Sequence, residues 1–247
     1  MHWLLPKLKG IRVLMYHHVW PNTSDDLTVT PQQLEEHFSY LKSHNYRTIS
    51  VSSLIDSVYN DRSLPENAII ITFDDGYSNQ IDYVEPLLKK YGFCACLFLI
   101  GEKVLSTSEQ AEGLKESYLS VERINKADKN HFEFGLHGYS HKALSQMTND
   151  EFKADIMLNR QVFLAMNIST IPVFAYPYGD RSKDKVRMTQ IKEILNKCGM
   201  RAAFRIGNST VSFPVKDPYE LKRIDINGFD DIQRFRIKLS KGKLKPF

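Results

Sequence analysis

The chain has 247 residues, 42% hydrophobic and 25% charged, a composition that fits one large globular domain or two small ones. It has no apolar run long enough to cross a bilayer, and its three cysteines, Cys94, Cys96 and Cys198, are too few for a disulfide-framed fold. The formal net charge of +4 is uneven: "RFRIKLSKGKLKPF" from Arg234 onward holds six Lys/Arg and no acid, and the remaining body shows no basic face of the kind a nucleic-acid binder needs.

The predicted elements alternate along the chain. Ile11 to Tyr16 reads as a first strand, after an N-terminal extension of residues 1–10 without the pattern of a secretory signal. "TPQQLEEHFSYLKSHN" reads as a helix, with Thr30 as N-cap, Pro31 at its first position and Gln33 completing a capping box. A short strand is expected over residues 47–49 and a helix over 54–59. "AIIITF", residues 68–73, is an uninterrupted apolar run of the kind found in parallel strands buried on both faces. "NQIDYVEPLLKKYG" predicts one helix stopped by Gly92, followed by a strand over 94–100 with Cys94 and Cys96 on one face as small core residues. Residues 101–130 are polar and helical in character. Then come a strand in "FEFGLH", a helix over 148–165 with a Thr148/Glu151 capping box, a strand in "PVFAYP", a helix over 184–198, and strands in "AAFRI" and "LKRIDI". This rhythm implies a single α/β domain over 11–233, with a barrel favoured over an open sheet, and a basic tail over 234–247.

In α/β barrels the reactive groups collect where strands end. Those points hold Asp74 and Asp75 after "AIIITF", His137 and His141 after "FEFGL", Tyr176 to Gly179 after "PVFA", and His17 after "RVLMY". Each has a plain structural explanation when taken singly: a helix N-cap, a chance HxxxH, a turn, a hydrogen-bonded histidine. Together, two histidines and one carboxylate make three protein ligands for a catalytic zinc, and a second carboxylate beside the first suits a general base. The intervening Gly138-Tyr139-Ser140 excludes the HExxH helix of zinc proteases.

"ITFDDGY", "HGYSH" and "FAYPYG", in that order, resemble the polysaccharide deacetylases, the NodB-like carbohydrate esterases, over residues 13 to about 226. The resemblance implies a distorted (β/α)7 barrel and removal of N-acetyl groups from an amino-sugar glycan, with Asp75, His137 and His141 as metal ligands. It makes Asp74 the base and the backbone N–H of Tyr178 an oxyanion donor. It implies a divalent ion, Zn2+ by default, although an Asp/His2 set also accepts Co2+, Ni2+ or Fe2+.

Two positions depart from the family pattern. Ala175 stands where an arginine usually steadies the base, with Arg223 as the expected replacement and Arg205 as the lesser candidate. The usual late histidine is also missing. The chain resembles the branch typified by poly-N-acetylglucosamine deacetylases, in which the general acid comes from the first strand. That assigns the acid to His17 and leaves His18 to packing or the surface. Tyr77, Tyr139 and Tyr176 are candidates for sugar stacking or for core packing. Alternative readings are a metal-dependent amidase acting on a small non-sugar amide, and a glycan-binding module without activity. The expected partner is an N-acetylated glycan or lipid-linked sugar, in the cytoplasm. Phe235, Ile237, Leu239, Leu244 and Phe247 in the basic tail offer either peripheral contact with the inner membrane face or a fraying end.

Overall fold

The computed structural model describes residues 10–106 and 114–243. In chain order the elements are β1 (Arg12–Tyr16), β2 (His18–Val19), β3 (Thr28–Val29), α1 (Pro31–Ser43), β4 (Arg47–Thr48), α2 (Val51–Asn60), β5 (Ala68–Phe73), α3 (Asn79–Asp82), α4 (Val84–Tyr91) and β6 (Ala95–Leu99). They continue as α5 (Gly101–Ser106), α6 (Val121–Lys126), β7 (Phe132–Leu136), α7 (Asn149–Ala165), β8 (Val173–Ala175), α8 (Lys185–Lys197), β9 (Ala202–Ile206), β10 (Leu221–Asp225) and α9 (Ile232–Lys241).

Strands β5 to β10 pair in sequence, all parallel, and β1 closes the ring by pairing with both β10 and β5. This is the expected seven-stranded barrel. Its distortion is visible at β8, which has three residues and a single register pair to β7, Leu136 with Phe174. Strand β4 pairs with Ala68 and Ile69 at the start of β5, whereas β6 pairs with Thr72 and Phe73 at its end, so the two share one edge.

Period-two alternation sorts the side chains into two cores. Val13, Ile70, Cys96, Phe98, Val173, Ala175, Ala202 and Phe204 fill the barrel interior. Leu14, Tyr16, Ile69, Ile71, Phe73, Leu97, Leu99, Phe134 and Phe174 face the helix layer. Both faces of β5 are buried, which is why its sequence shows no polar alternation. Continuing the inward parity upward leads to His17, Asp74, His137 and Arg223, so the barrel's own geometry aims four polar side chains at one end.

The predicted helix over "NQIDYVEPLLKKYG" is two helices, α3 and α4, separated at Tyr83. Pro86 explains the break: it has no N–H and its ring would meet the carbonyl of Asp82, so it is accommodated only in the first turn of a new helix. Both predicted capping boxes, Thr30/Gln33 and Thr148/Glu151, are formed.

The expected boundary at residue 234 falls inside α9, and this helix belongs to the domain. Phe235 and Leu239 are buried in the core, each worth about 1.5–3 kcal/mol, and so are withdrawn from any membrane surface. Lys238 ties the helix down by donating to Asp230 Oδ2 (2.5 Å) and to the Asp225 carbonyl (2.8 Å). The N-terminal segment 1–9 and the apolar tail residues Leu244 and Phe247 lie outside the described residues. Among the described residues no helix is long and apolar enough to cross a membrane.

Candidate active site

Asp74 is the first residue beyond β5, and its inward parity delivers the carboxylate to the top of the barrel interior. Arg223 on β10 meets it with both ends of the guanidinium: Nη1 donates to Oδ1 and Nη2 to Oδ2, each at 2.6 Å. Both partners are buried, Arg223 completely. The ring of Phe98 lies beneath the guanidinium at 5.4 Å, and Nη1 also reaches Thr72 Oγ1 at 3.3 Å. Burial pushes Asp74 toward protonation, but Arg223 and the imidazoles of His137 and His17 outweigh it and hold the carboxyl below its usual range. Arg205, the other arginine considered for this place, is turned to Glu220 (Nε to Oε2, 2.8 Å).

Alternation alone would send Asp75 outward, into the helix layer. Instead Asp75 adopts a positive φ of 75°, and the chain turns where the strand ends. Its Oδ1 lies 3.4 Å from His137 Nε2 and 3.2 Å from His141 Nε2. His141 is also at positive φ, 54°, and so is Tyr178, 59°. Left-handed backbone at a non-glycine residue costs on the order of 1–2 kcal/mol. Three such residues gathered at one end of the barrel mark a place where geometry is held against local preference.

Ligand atoms of Asp75, His137 and His141 all lie within 4.8 Å of one another. Asp75 Oδ1 is buried and makes no hydrogen bond, although two imidazole nitrogens face it. His137 Nδ1 is 2.9 Å from the Ala175 carbonyl, so that nitrogen carries the proton and Nε2 is left as a lone-pair donor aimed at the cluster. A buried unbonded carboxylate oxygen, an imidazole with its tautomer set from behind and a second imidazole alongside fit one divalent ion. Burial opposes a charge on His137, yet Asp74 and Asp75 outweigh it and raise its proton affinity; the same field favours a bound cation.

His17 is half-buried, and its imidazole favours the ionised forms of the Asp74, Asp75 and Asp225 carboxyls. Its Nδ1 is buried and unbonded. His18 turns away, stacked on Tyr77 at 3.5 Å with Nδ1 3.2 Å from Asn79 Nδ2. Tyr77 and Tyr176 are core residues, which settles them as packing, and Tyr139 is half-buried. The aromatic ring that is offered to solvent belongs to Tyr178, 67% exposed and 4.7 Å from the His141 ring.

Two supporting residues carry no recognisable signal in the sequence. Asn79, fully buried, accepts from Val19 N (3.0 Å) and donates to the Lys115 carbonyl (2.9 Å). Gln80, also fully buried, donates from one Nε2 to the carbonyls of His17 (3.0 Å) and Asp74, tying the ends of β1 and β5 together. Both look like ordinary polar helix residues following the Asp-Asp-Gly turn.

The family model for polysaccharide deacetylases matches residues 61–203, more than half of the chain; His17 and Arg223 lie outside the match. The YxkH protein of Bacillus subtilis (strain 168) is 24% identical over 178 residues, 72% of this chain and 60% of that protein. The poly-beta-1,6-N-acetyl-D-glucosamine N-deacetylase of Staphylococcus epidermidis is 25% identical over 207 residues, 80% of this chain and 67% of the relative. The structure of IcaB from Ammonifex degensii has the same fold, with a TM-score of 0.76 over 95% of this chain and 97% of that one at 22% identity. By this match, covering the Asp-Asp turn and both histidines, the chain belongs to the polysaccharide deacetylase family.

Proposed function

We propose that the chain is a metal-dependent hydrolase that removes N-acetyl groups from an amino-sugar glycan of the poly-N-acetylglucosamine type. The observation that carries this reading is the convergence of the Asp75, His137 and His141 ligand atoms beside an Asp74 carboxylate held at two points by Arg223. A divalent ion held by those three residues, zinc by its donor set, supplies Lewis-acid polarisation and a water that ionises near neutral pH.

The chain's own residues do the rest. Asp74, kept ionised and oriented by Arg223, receives the proton of the attacking water. His17 gives a proton to the departing nitrogen, without which the leaving group would be an amide anion. The backbone N–H of Tyr178, presented by a turn at positive φ, is assigned to the developing oxyanion. The relatives named for poly-beta-1,6-N-acetyl-D-glucosamine support the choice of sugar.

The test is acetate release from β-1,6-linked N-acetylglucosamine oligomers by zinc-loaded wild type, Asp74→Asn and His17→Ala. Acetate release that falls about 100-fold or more in Asp74→Asn, and by a comparable factor in His17→Ala, is the expected result. Equal rates in wild type and Asp74→Asn would overturn the assignment of the base. No release by a protein that still binds one metal ion per chain would overturn the substrate.

A further inference from the structure

Between the two histidines of the cluster, Gly138-Tyr139-Ser140 provides no ligand but sets where His141 stands. The segment turns through positive φ at Gly138 (79°) and again at His141 (54°). A histidine is disfavoured there, and the conformation persists only where the surroundings over-determine it.

Those surroundings grip the loop from two sides. The carbonyls of Gly138 and Tyr139 accept from the N–H groups of Gly101 (3.1 Å) and Glu102 (3.0 Å), where α5 begins. On the other side, the N–H of Tyr139 donates to Asp155 Oδ2 (2.7 Å) and the N–H of Ser140 to Asp155 Oδ1 (2.9 Å). Ser140 Oγ donates to that same Oδ1 at 2.6 Å. A side chain at 138 would collide with this arrangement, since a Cβ there would stand 2.9 Å from Asp155 Oδ2.

We propose that Asp155, on α7, is a positioning residue for the metal centre: it holds His141 in its ligand conformation and so sets metal affinity without touching the ion. The proposal rests on the metal reading given above. A carboxylate is required because three donors converge on two acceptor oxygens. An asparagine of the same shape would put its own NH2 against one of those donors, and the loop would relax toward negative φ at His141, carrying the imidazole away.

The experiment is a Co2+ titration of the full chain, followed by the visible absorption of the bound ion, in wild type, Asp155→Asn, Ser140→Ala and Asp150→Asn. Asp150 is an exposed acid on the same helix and serves as the control. Loss of a group that orients ligands costs roughly 10–100-fold in metal affinity. We expect Asp155→Asn to weaken Co2+ binding at least tenfold with an altered spectrum, Ser140→Ala to weaken it less, and Asp150→Asn to match wild type. A wild-type affinity and spectrum in Asp155→Asn would overturn the proposal, even if that variant melted earlier. Should Asp155→Asn fail to fold, an unchanged affinity in Ser140→Ala would overturn it. No Co2+ binding by wild type would instead overturn the metal centre itself, and this proposal with it.

Discussion

His137 and His37 are both buried, 2% and 1% exposed, and sit in regions of opposite character. His137 stands at the top of the barrel with Asp74 and Asp75 around it; burial works against its charge, the carboxylates prevail, and its pKa is raised. His37, on α1, lies in the seam where α9 closes over β1. It stacks on Phe235 at 4.0 Å and 9°, with Nδ1 3.2 Å from the Tyr16 hydroxyl. Burial there is opposed only by a hydrogen bond to the Asp230 backbone, with Lys238 adding to it, and the pKa falls to about 3. Burial is common to both histidines, and the nearby carboxylates decide which of them attracts a cation. The site spends stability on chemistry, whereas the seam is built to stay neutral.

The sharpest way to break this contrast is to remove the charge balance at the site. Arg223→Met leaves the buried Asp74 carboxylate without its partner, and the cost of stranding a buried charge is about 3–5 kcal/mol. Urea unfolding at pH 7 measures it. Asp74→Asn combined with Arg223→Met should cost clearly less than the sum of the two single changes, because the second loss removes a charge that the first had stranded. Additive costs would show that the pair is not coupled as its geometry implies.

A smaller effect, of opposite origin, is expected at the seam. The folded-state pKa of His37 is depressed, so below about 6.5 the unfolded chain takes up a proton that the folded chain refuses. The stability His37 contributes is therefore complete above pH 6.5 and is lost as pH falls toward 3. At pH 5 the loss is about 2 kcal/mol, from roughly 1.4 kcal/mol per unit. Unfolding free energies at pH 7.5 and pH 5 for wild type and His37→Gln isolate it, because the difference between the two proteins cancels the titration of the site. An equal pH dependence in both would show that His37 titrates normally.

The legible part of this molecule is the part governed by simple periods. Apolar runs bounded by turns mark the strands of a parallel barrel, and alternation on those strands places His17, Asp74, His137 and Arg223 on the inner side. The exchange of Ala175 for Arg223 is readable because a buried Asp74 carboxylate needs a cation and few arginines sit on strands. Asp75 and His141 enter the cluster through positive φ, which no period announces; only the motif as a whole brings them in. Asp155, Asn79 and Gln80 act on backbone groups far away in sequence, and nothing in a helical pattern separates them from solvated polar residues. The reading of the tail misses α9 because its six basic residues dominate the composition, whereas its fate is decided by Phe235, Leu239 and the buried Lys238–Asp230 pair.

The smallest expected effect tests how the neutral histidine is kept satisfied. The Tyr16 hydroxyl lies 3.2 Å from His37 Nδ1, where it can donate to the neutral imidazole. Tyr16→Phe keeps the ring, including its stack on Phe73 at 5.3 Å, and removes that donor alone. An acceptor left unsatisfied in a buried place costs about 1 kcal/mol or somewhat more. The loss should be present at pH 7.5, where His37 is neutral in both states, and it should vanish in a His37→Phe background, where no acceptor remains. If Tyr16→Phe cost as much in that background, the hydroxyl would be stabilising the seam through some other contact, and the neutrality of His37 would rest on burial alone.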